Sequence, residues 1–315
     1  MINKNISFLQ ITQLCTTSIF RGMNGNVMKW FLFVALSFIW GSSFILMKEG
    51  LEGLNAFQVA SLRIVASGLV LLPLAIKSIK LIPAKKLLPV FLSGTMGSLL
   101  PAYLFCIAEQ GIDSSMAGAL NSLTPVFVII TGALFFKNKA SKQKVTGVIV
   151  AFSGCVLLFF SQPNAMLGGN LFLITLIILA TIFYGLNVNL VFKFLKDIPS
   201  LQIVSVALCL NAIPALLCLY FFGYFSLDFT SHKVLVASGF SVLLGALGTS
   251  IANILFYVLI KKAGAVFSSM VTYGIPFVAI FWGVIYHEKS GWLQVASLCI
   301  ILAGVYIANR KRTSV

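Results

Sequence analysis

The chain has 315 residues, 59% hydrophobic and 9% charged, with a mean hydropathy of +1.04. Soluble domains are about a quarter charged, so this composition excludes a water-covered globular protein and leaves a membrane protein. The formal net charge of +15 would suggest nucleic acid in a soluble chain, but here the basic residues lie in loops between apolar runs. There they orient helices in a bilayer and imply no nucleic-acid partner.

Residues 1–29 come first. Met1 to Phe20 is neither apolar enough nor long enough to span, and no small-residue cleavage site follows it. Met28-Lys29-Trp30 stands directly before the first long apolar run, so residues 1–29 read either as a loose tail or as an over-called start.

Ten apolar segments follow, at about 30–47, 57–76, 87–108, 115–136, 145–161, 168–192, 201–222, 236–260, 265–287 and 291–308. Each approaches the roughly 20 residues that carry a helix across a bilayer. Continuous rather than alternating hydrophobicity argues against a β-barrel. The loops support the count. If the N-terminus is cytoplasmic, 18 basic residues fall on that side, among them Lys85, Lys86, Lys142, Lys144, Lys261 and Lys262. The other side holds three, Lys48, Lys233 and Lys289, while Arg63 lies within a span. A miscounted helix would scramble this alternation. The expected fold is therefore an all-α polytopic membrane protein of ten transmembrane helices, with both termini cytoplasmic.

The sequence also repeats. At an offset of 151, Leu104-Phe105 matches Leu255-Phe256, Pro125 matches Pro276 and Gly132 matches Gly283. An offset of 144 pairs Trp40 with Tyr184, Gly41 with Gly185 and Gln58 with Gln202, and Gly154 pairs with Gly304 at 150. The expected organisation is one five-helix repeat over 30–161, a second over 168–309, and a basic tail over 310–315. An odd number of helices per repeat inverts the second relative to the first, and many secondary carriers with inverted repeats hold substrate near the midplane between them.

Ser115 to Pro125 and Ser268 to Pro276 carry small and polar residues up to a mid-span proline. Proline lacks an N–H, so the carbonyls of Asn121 and Thr272, four residues back, lose their helical donors. In a membrane such groups persist only where protein or a wet cavity satisfies them. Pro125 and Pro276 are thus candidate hinges, with an ordinary packing kink as the alternative. Arg63 is the one charge well inside a span. It either pairs with Glu49, Glu52 or Glu109 as a structural lock, or anchors a substrate carboxylate or phosphate. Thr249, Ser250, Asn253 and Tyr257 recur at helical spacing, as do Tyr184 with Asn187 and Trp40 with Ser43. Such polar stripes on apolar helices face the protein interior, for hydrogen bonding or to line a cavity. The candidate binding wall is Trp40, Ser43, Arg63, Asn121, Thr124, Tyr184, Asn187, Asn253, Tyr257 and Thr272.

No Asp or Glu sits at midplane depth: Glu109, Asp113 and Glu288 fall near span ends, as do His232 and His287. Nothing therefore supports a buried proton relay. Cysteines at 15, 106, 155, 209, 218 and 299 form no C-x-x-C pair, and no metal site, cofactor or catalytic motif is indicated. An intramembrane lipid enzyme would need paired acids, a histidine dyad or a metal. A non-transporting receptor or assembly subunit would not need an inverted repeat.

The chain resembles the EamA-type members of the drug/metabolite transporter superfamily, from residue 28 to about 310. The resemblance rests on Trp40-Gly41-Ser42-Ser43-Phe44, Arg63, Leu123-Thr124-Pro125, Ile275-Pro276 and His287-Glu288-Lys289. Lys137 stands where that family often has a glutamate at the end of the fourth helix, which departs from a symmetric pair with Glu288. The resemblance implies a carrier in the cell membrane, most often an exporter of amino acids or other small metabolites, with a small-molecule substrate and the lipid bilayer as its partners.

Overall fold

The computed structural model describes residues 24–112, 114–138, 140–160, 171–278 and 292–310. Among them every regular element is helical. Helix α1 spans Gly25–Leu51 and α2 Ala56–Ser78, while α3 spans Ala84–Ala108. Next come α4 (Ser114–Asn121), α5 (Thr124–Phe136) and α6 (Lys142–Phe160). Then follow α7 (Leu171–Phe194), α8 (Ser200–Phe221) and α9 (His232–Ala263). The last two are α10 (Ala265–Val278) and α11 (Trp292–Asn309). Six of these, α1, α2, α3, α7, α8 and α9, are long and apolar enough to cross a membrane unaided.

Local chemistry sets the ends. Asn24 accepts from the Asn26 N–H (3.3 Å) and starts α1 five residues ahead of the expected span. Asn55 and Gln58 form a reciprocal capping box (2.9 and 3.0 Å) at the head of α2. Pro199 precedes α8, and Gly264 at φ 84° makes the turn between α9 and α10. Lys137, left-handed at φ 55°, ends α5.

Two helices carry an interior defect. The chain widens to a π-helix at Thr95–Leu99 in α3 and again at Leu244–Ile251 in α9. Two further runs are broken at their prolines: α4 stops at Asn121 and α5 restarts at Thr124, while α10 tightens to a 3₁₀ segment at Met270–Gly274. The expected single helix over 115–136 is thus two.

Glycines bring the helices together, as small residues do where lipid gives no hydrophobic drive to associate. A Cβ on Gly68 of α2 would stand 2.6 Å from the Ala212 methyl on α8. One on Gly154 of α6 would meet Ile301 Cγ1 on α11 at 2.9 Å, and Gly304 of α11 lies against Ala151 of α6. At an offset of 150 these last two contacts are one contact with its members exchanged. Leu134, Phe135, Tyr220 and Phe221 stand out from the bundle, as side chains facing acyl chains do. Inside, the apolar core divides in two. One cluster gathers Leu32, Leu36, Val191, Leu259 and Phe267, and the other Met47, Leu54, Phe105, Ala108 and Leu244. Along α1 the stretch between them holds Trp40 and Ser43.

Glu288, His287, Lys289, Gly283, Asp113, Cys15 and the tails over 1–23 and 311–315 lie outside the described residues, as do the inter-repeat segment 161–170 and the end of the ninth expected span.

Candidate functional site

Between the two core clusters lies a cavity of about 80 Å³, room for a few waters. Trp40, Ser43, Arg63, Asn121, Thr124, Tyr184, Asn187, Asn253 and Thr272 all line it. These are nine of the ten residues of the expected wall, drawn from α1, α2, α4, α5, α7, α9 and α10. Tyr257 is the tenth. It is buried behind the wall, its hydroxyl 3.2 Å from Asn187 Oδ1 and 3.3 Å from the Ser93 carbonyl.

The polar groups are tied to neighbouring helices. Trp40 Nε1–H donates to the Gly248 carbonyl at 3.1 Å, and Asn253 Nδ2 donates to Ser98 Oγ at 3.0 Å. Arg63 Nε–H donates to Thr249 Oγ1 at 2.7 Å. No carboxylate pairs with Arg63 among the described residues, so the expected lock to Glu49, Glu52 or Glu109 is absent there. Among the described residues Arg63 is also the sole charged member of the lining.

The carbonyls beside the prolines have donors within their own turns. The Asn121 carbonyl accepts from Thr124 Oγ1 at 2.8 Å, and the Thr272 carbonyl accepts from the Ile275 N–H. Both breaks are therefore satisfied locally, and the Asn121 and Thr272 side chains remain as the groups that border the cavity.

Phe44, Met47, Phe105, Phe256, Gly97 and Gly248 also line the space and were not in the expected wall. Phe105 stands 6.1 Å from both Phe44 and Tyr184, and Trp40 meets Phe256 edge-on at 4.9 Å. The signal was present, since Phe105 and Phe256 are the repeated aromatic at an offset of 151. Gly97 and Gly248, at the same offset, each sit in a π-helical segment. A Cβ on Gly248 would stand 2.7 Å from Ser43 Oγ, and one on Gly97 would run into the Asn187 amide. Ser43 and Asn187 are themselves related by the offset of 144, so both halves build the same contact.

Two other buried amides serve the scaffold. Asn211 Nδ2 donates to the Ala207 and Phe91 carbonyls (2.8 and 3.1 Å), and its Oδ1 accepts from Thr95 Oγ1 at 2.8 Å. It thereby fastens α8 to the π-helical part of α3. Asn189 likewise reaches the carbonyls of Val128 and Gly185 (2.8 and 2.9 Å). Among the described residues no group of three His, Cys, Asp or Glu side chains could hold a metal.

Comparison with known proteins agrees with this architecture. An uncharacterised transporter of Archaeoglobus fulgidus is 28% identical over 285 residues, covering 90% of this chain and 99% of that one. The uncharacterised inner membrane transporter YedA of Escherichia coli K12 is 24% identical over 293 residues, 88% of this chain and 91% of its own. One solved crystal structure superposes with a TM-score of 0.69 at 14% identity, covering 90% of this chain and 96% of its own, which speaks to fold alone. The model of the EamA-like transporter family matches twice, over residues 28–160 and 171–310. This chain is a multi-pass membrane protein and belongs to the EamA-like transporter family.

Proposed function

We propose that the protein is a secondary carrier that moves a small polar metabolite by alternating access, in the export direction, across a bacterial cytoplasmic membrane. On this reading it crosses ten times. The broken pair α4–α5 and the broken helix α10 form the fourth and ninth crossings, α6 and α11 the fifth and tenth. The repeats 30–161 and 168–309 are then inverted, with both termini on the basic, cytoplasmic side. Export is the direction implied by the family resemblance.

One observation carries the reading. A polar cavity lies between the two apolar clusters, walled from both family-matched segments at the points where their helices are broken or widened. Discontinuous helices around a midplane site are how many carriers expose binding groups in lipid. Trp40, Ser43, Arg63, Asn121, Thr124, Tyr184, Asn187, Asn253 and Thr272 would contact substrate, with Tyr257 supporting Asn187. Pro125 and Pro276 would let the halves rock.

The test is solute counterflow in proteoliposomes of the purified chain. Carrier activity predicts saturable exchange of at least one small metabolite, slowed by Asn121→Ala and by Asn187→Ala. Wild-type exchange in both variants would mean that the wall is misplaced.

A further inference from the structure

The chemistry of the cavity is one-sided. Among the described residues its lining contains a single charged group, the Arg63 guanidinium, and no Asp, Glu, Lys or His. The Nε–H of Arg63 is taken by Thr249 Oγ1, while its two terminal nitrogens have no hydrogen-bond partner among the described residues. A cation in a lipid-embedded bundle is costly to leave unpaired, so the space before those nitrogens favours an anion. Thr249 occupies the side edge of the guanidinium. What is left is the end-on fork, two nitrogens side by side, which matches the two oxygens of one carboxylate.

The rest of the wall narrows the class. Phe44, Phe105 and Tyr184 form a chain of rings, and Trp40 packs on Phe256. These surfaces accept an apolar body and offer no carboxylate to an ammonium group. A dianionic phosphate would bring a second negative charge that meets no second cation among the described residues.

We propose that the site selects an organic monocarboxylate with an uncharged, apolar body, its carboxylate gripped end-on by Arg63. The proposal rests on reading the cavity as the substrate site of a carrier.

The experiment uses the full chain in lipid nanodiscs with four probes that share one ring: 3-phenylpropanoate, 3-phenylpropanamide, 2-phenylethylammonium and 2-phenylethyl phosphate. A ligand of the folded state raises the apparent melting temperature in a saturable way. The expected result is saturable stabilisation by the acid, with each other probe at least about tenfold weaker. No stabilisation by the acid, or equal stabilisation by any other probe, overturns the proposal. Arg63→Gln should weaken the acid about ten- to hundredfold, as loss of a charged hydrogen-bond pair does, and Arg63→Lys should recover part of that loss. Unchanged affinity in Arg63→Gln overturns the proposal as well. If Arg63→Gln fails to fold, the wild-type probe series decides alone.

Flux of the same probes in proteoliposomes separates the two readings. Arg63-dependent binding without flux sinks the carrier and leaves the carboxylate site standing. Flux that ignores the carboxylate leaves the carrier standing and sinks the site.

Discussion

Tyr257 holds Asn187 from behind: its hydroxyl lies 3.2 Å from Asn187 Oδ1, while Asn187 borders the cavity and Tyr257 does not. The hydroxyl fixes which way the amide points. Tyr257→Phe removes that partner and should destabilise the protein by about 1 kcal/mol. Transport should fall with it. Because the effect passes through Asn187, the double variant Tyr257→Phe/Asn187→Ala should transport no worse than Asn187→Ala alone. Additive losses in exchange rate would show that Tyr257 acts by some other route.

Gly248 has no room for a methyl, since a Cβ there would stand 2.7 Å from Ser43 Oγ and 3.0 Å from Leu244 Cδ1. Gly248→Ala should cost about 1–3 kcal/mol by overpacking and should cut exchange by displacing Ser43. Gly239, in the same helix, has nothing within 4 Å. Gly239→Ala should be neutral or stabilising by up to about 1 kcal/mol. Thermal melts in detergent compare the pair directly, and equal effects would refute the close contact.

Pro125 separates α4 from α5, and Pro276 follows the 3₁₀ segment of α10. Alanine at either site restores an N–H that can reach the carbonyl four residues back and straighten the run. Ligand affinity should be kept while turnover slows about three- to tenfold, since the motion and not the grip is altered. A double Pro125→Ala/Pro276→Ala variant with wild-type turnover would remove these prolines as hinges.

Gly154 and Gly304 seat α6 against α11. Gly154→Leu and Gly304→Leu should each destabilise by about 3 kcal/mol, at the upper end of overpacking costs. Once one wedge has parted the helices the second adds little, so the double variant should fall well short of the sum. Denaturation of the three variants measures this coupling, and full additivity would place the two glycines in separate interfaces.

Much of the fold was legible because lipid imposes one rule on every span. Most of the apolar runs appear as helices with ends shifted by a few residues, such as Gly25–Leu51 for the expected 30–47, while 115–136 appears as two. The breaks at Pro125 and Pro276 were legible because proline deletes a donor. What escaped has a physical reason too. A π-helical turn is not written in residue preference, although Gly94-x-x-Gly97-Ser98 and Gly245-x-x-Gly248-Thr249 repeat at an offset of 151. Each inserted residue rotates the downstream part of the helix by ~100° relative to a regular one. The stripe read at regular spacing is therefore offset, with Thr249 and Ser250 inside the π-helical segment and Asn253 and Tyr257 in the regular helix beyond it. Thr249 meets Arg63, Ser250 Oγ reaches the Ser67 carbonyl at 3.2 Å, Asn253 borders the cavity and Tyr257 lies behind it. Phe105 and Phe256 were missed because a phenylalanine in an apolar helix reads alike whether it faces lipid, core or cavity.

On the inverted arrangement proposed above, a vessel built from two copies of one plan has no top or bottom. The contacts of Gly248 with Ser43 and of Gly97 with Asn187 repeat across the cavity in just this even-handed way. Arg63 breaks the evenness. Its counterpart at the offset of 144 is Ala207, and the glycine contact that Gly245 makes with the Arg63 carbonyl is made by Gly94 with that of Ala207. The backbone keeps the likeness while the side chains depart from it. Among the described residues the result is a compartment with one electrical pole, in which a polar guest lying one way round differs in energy from the same guest reversed.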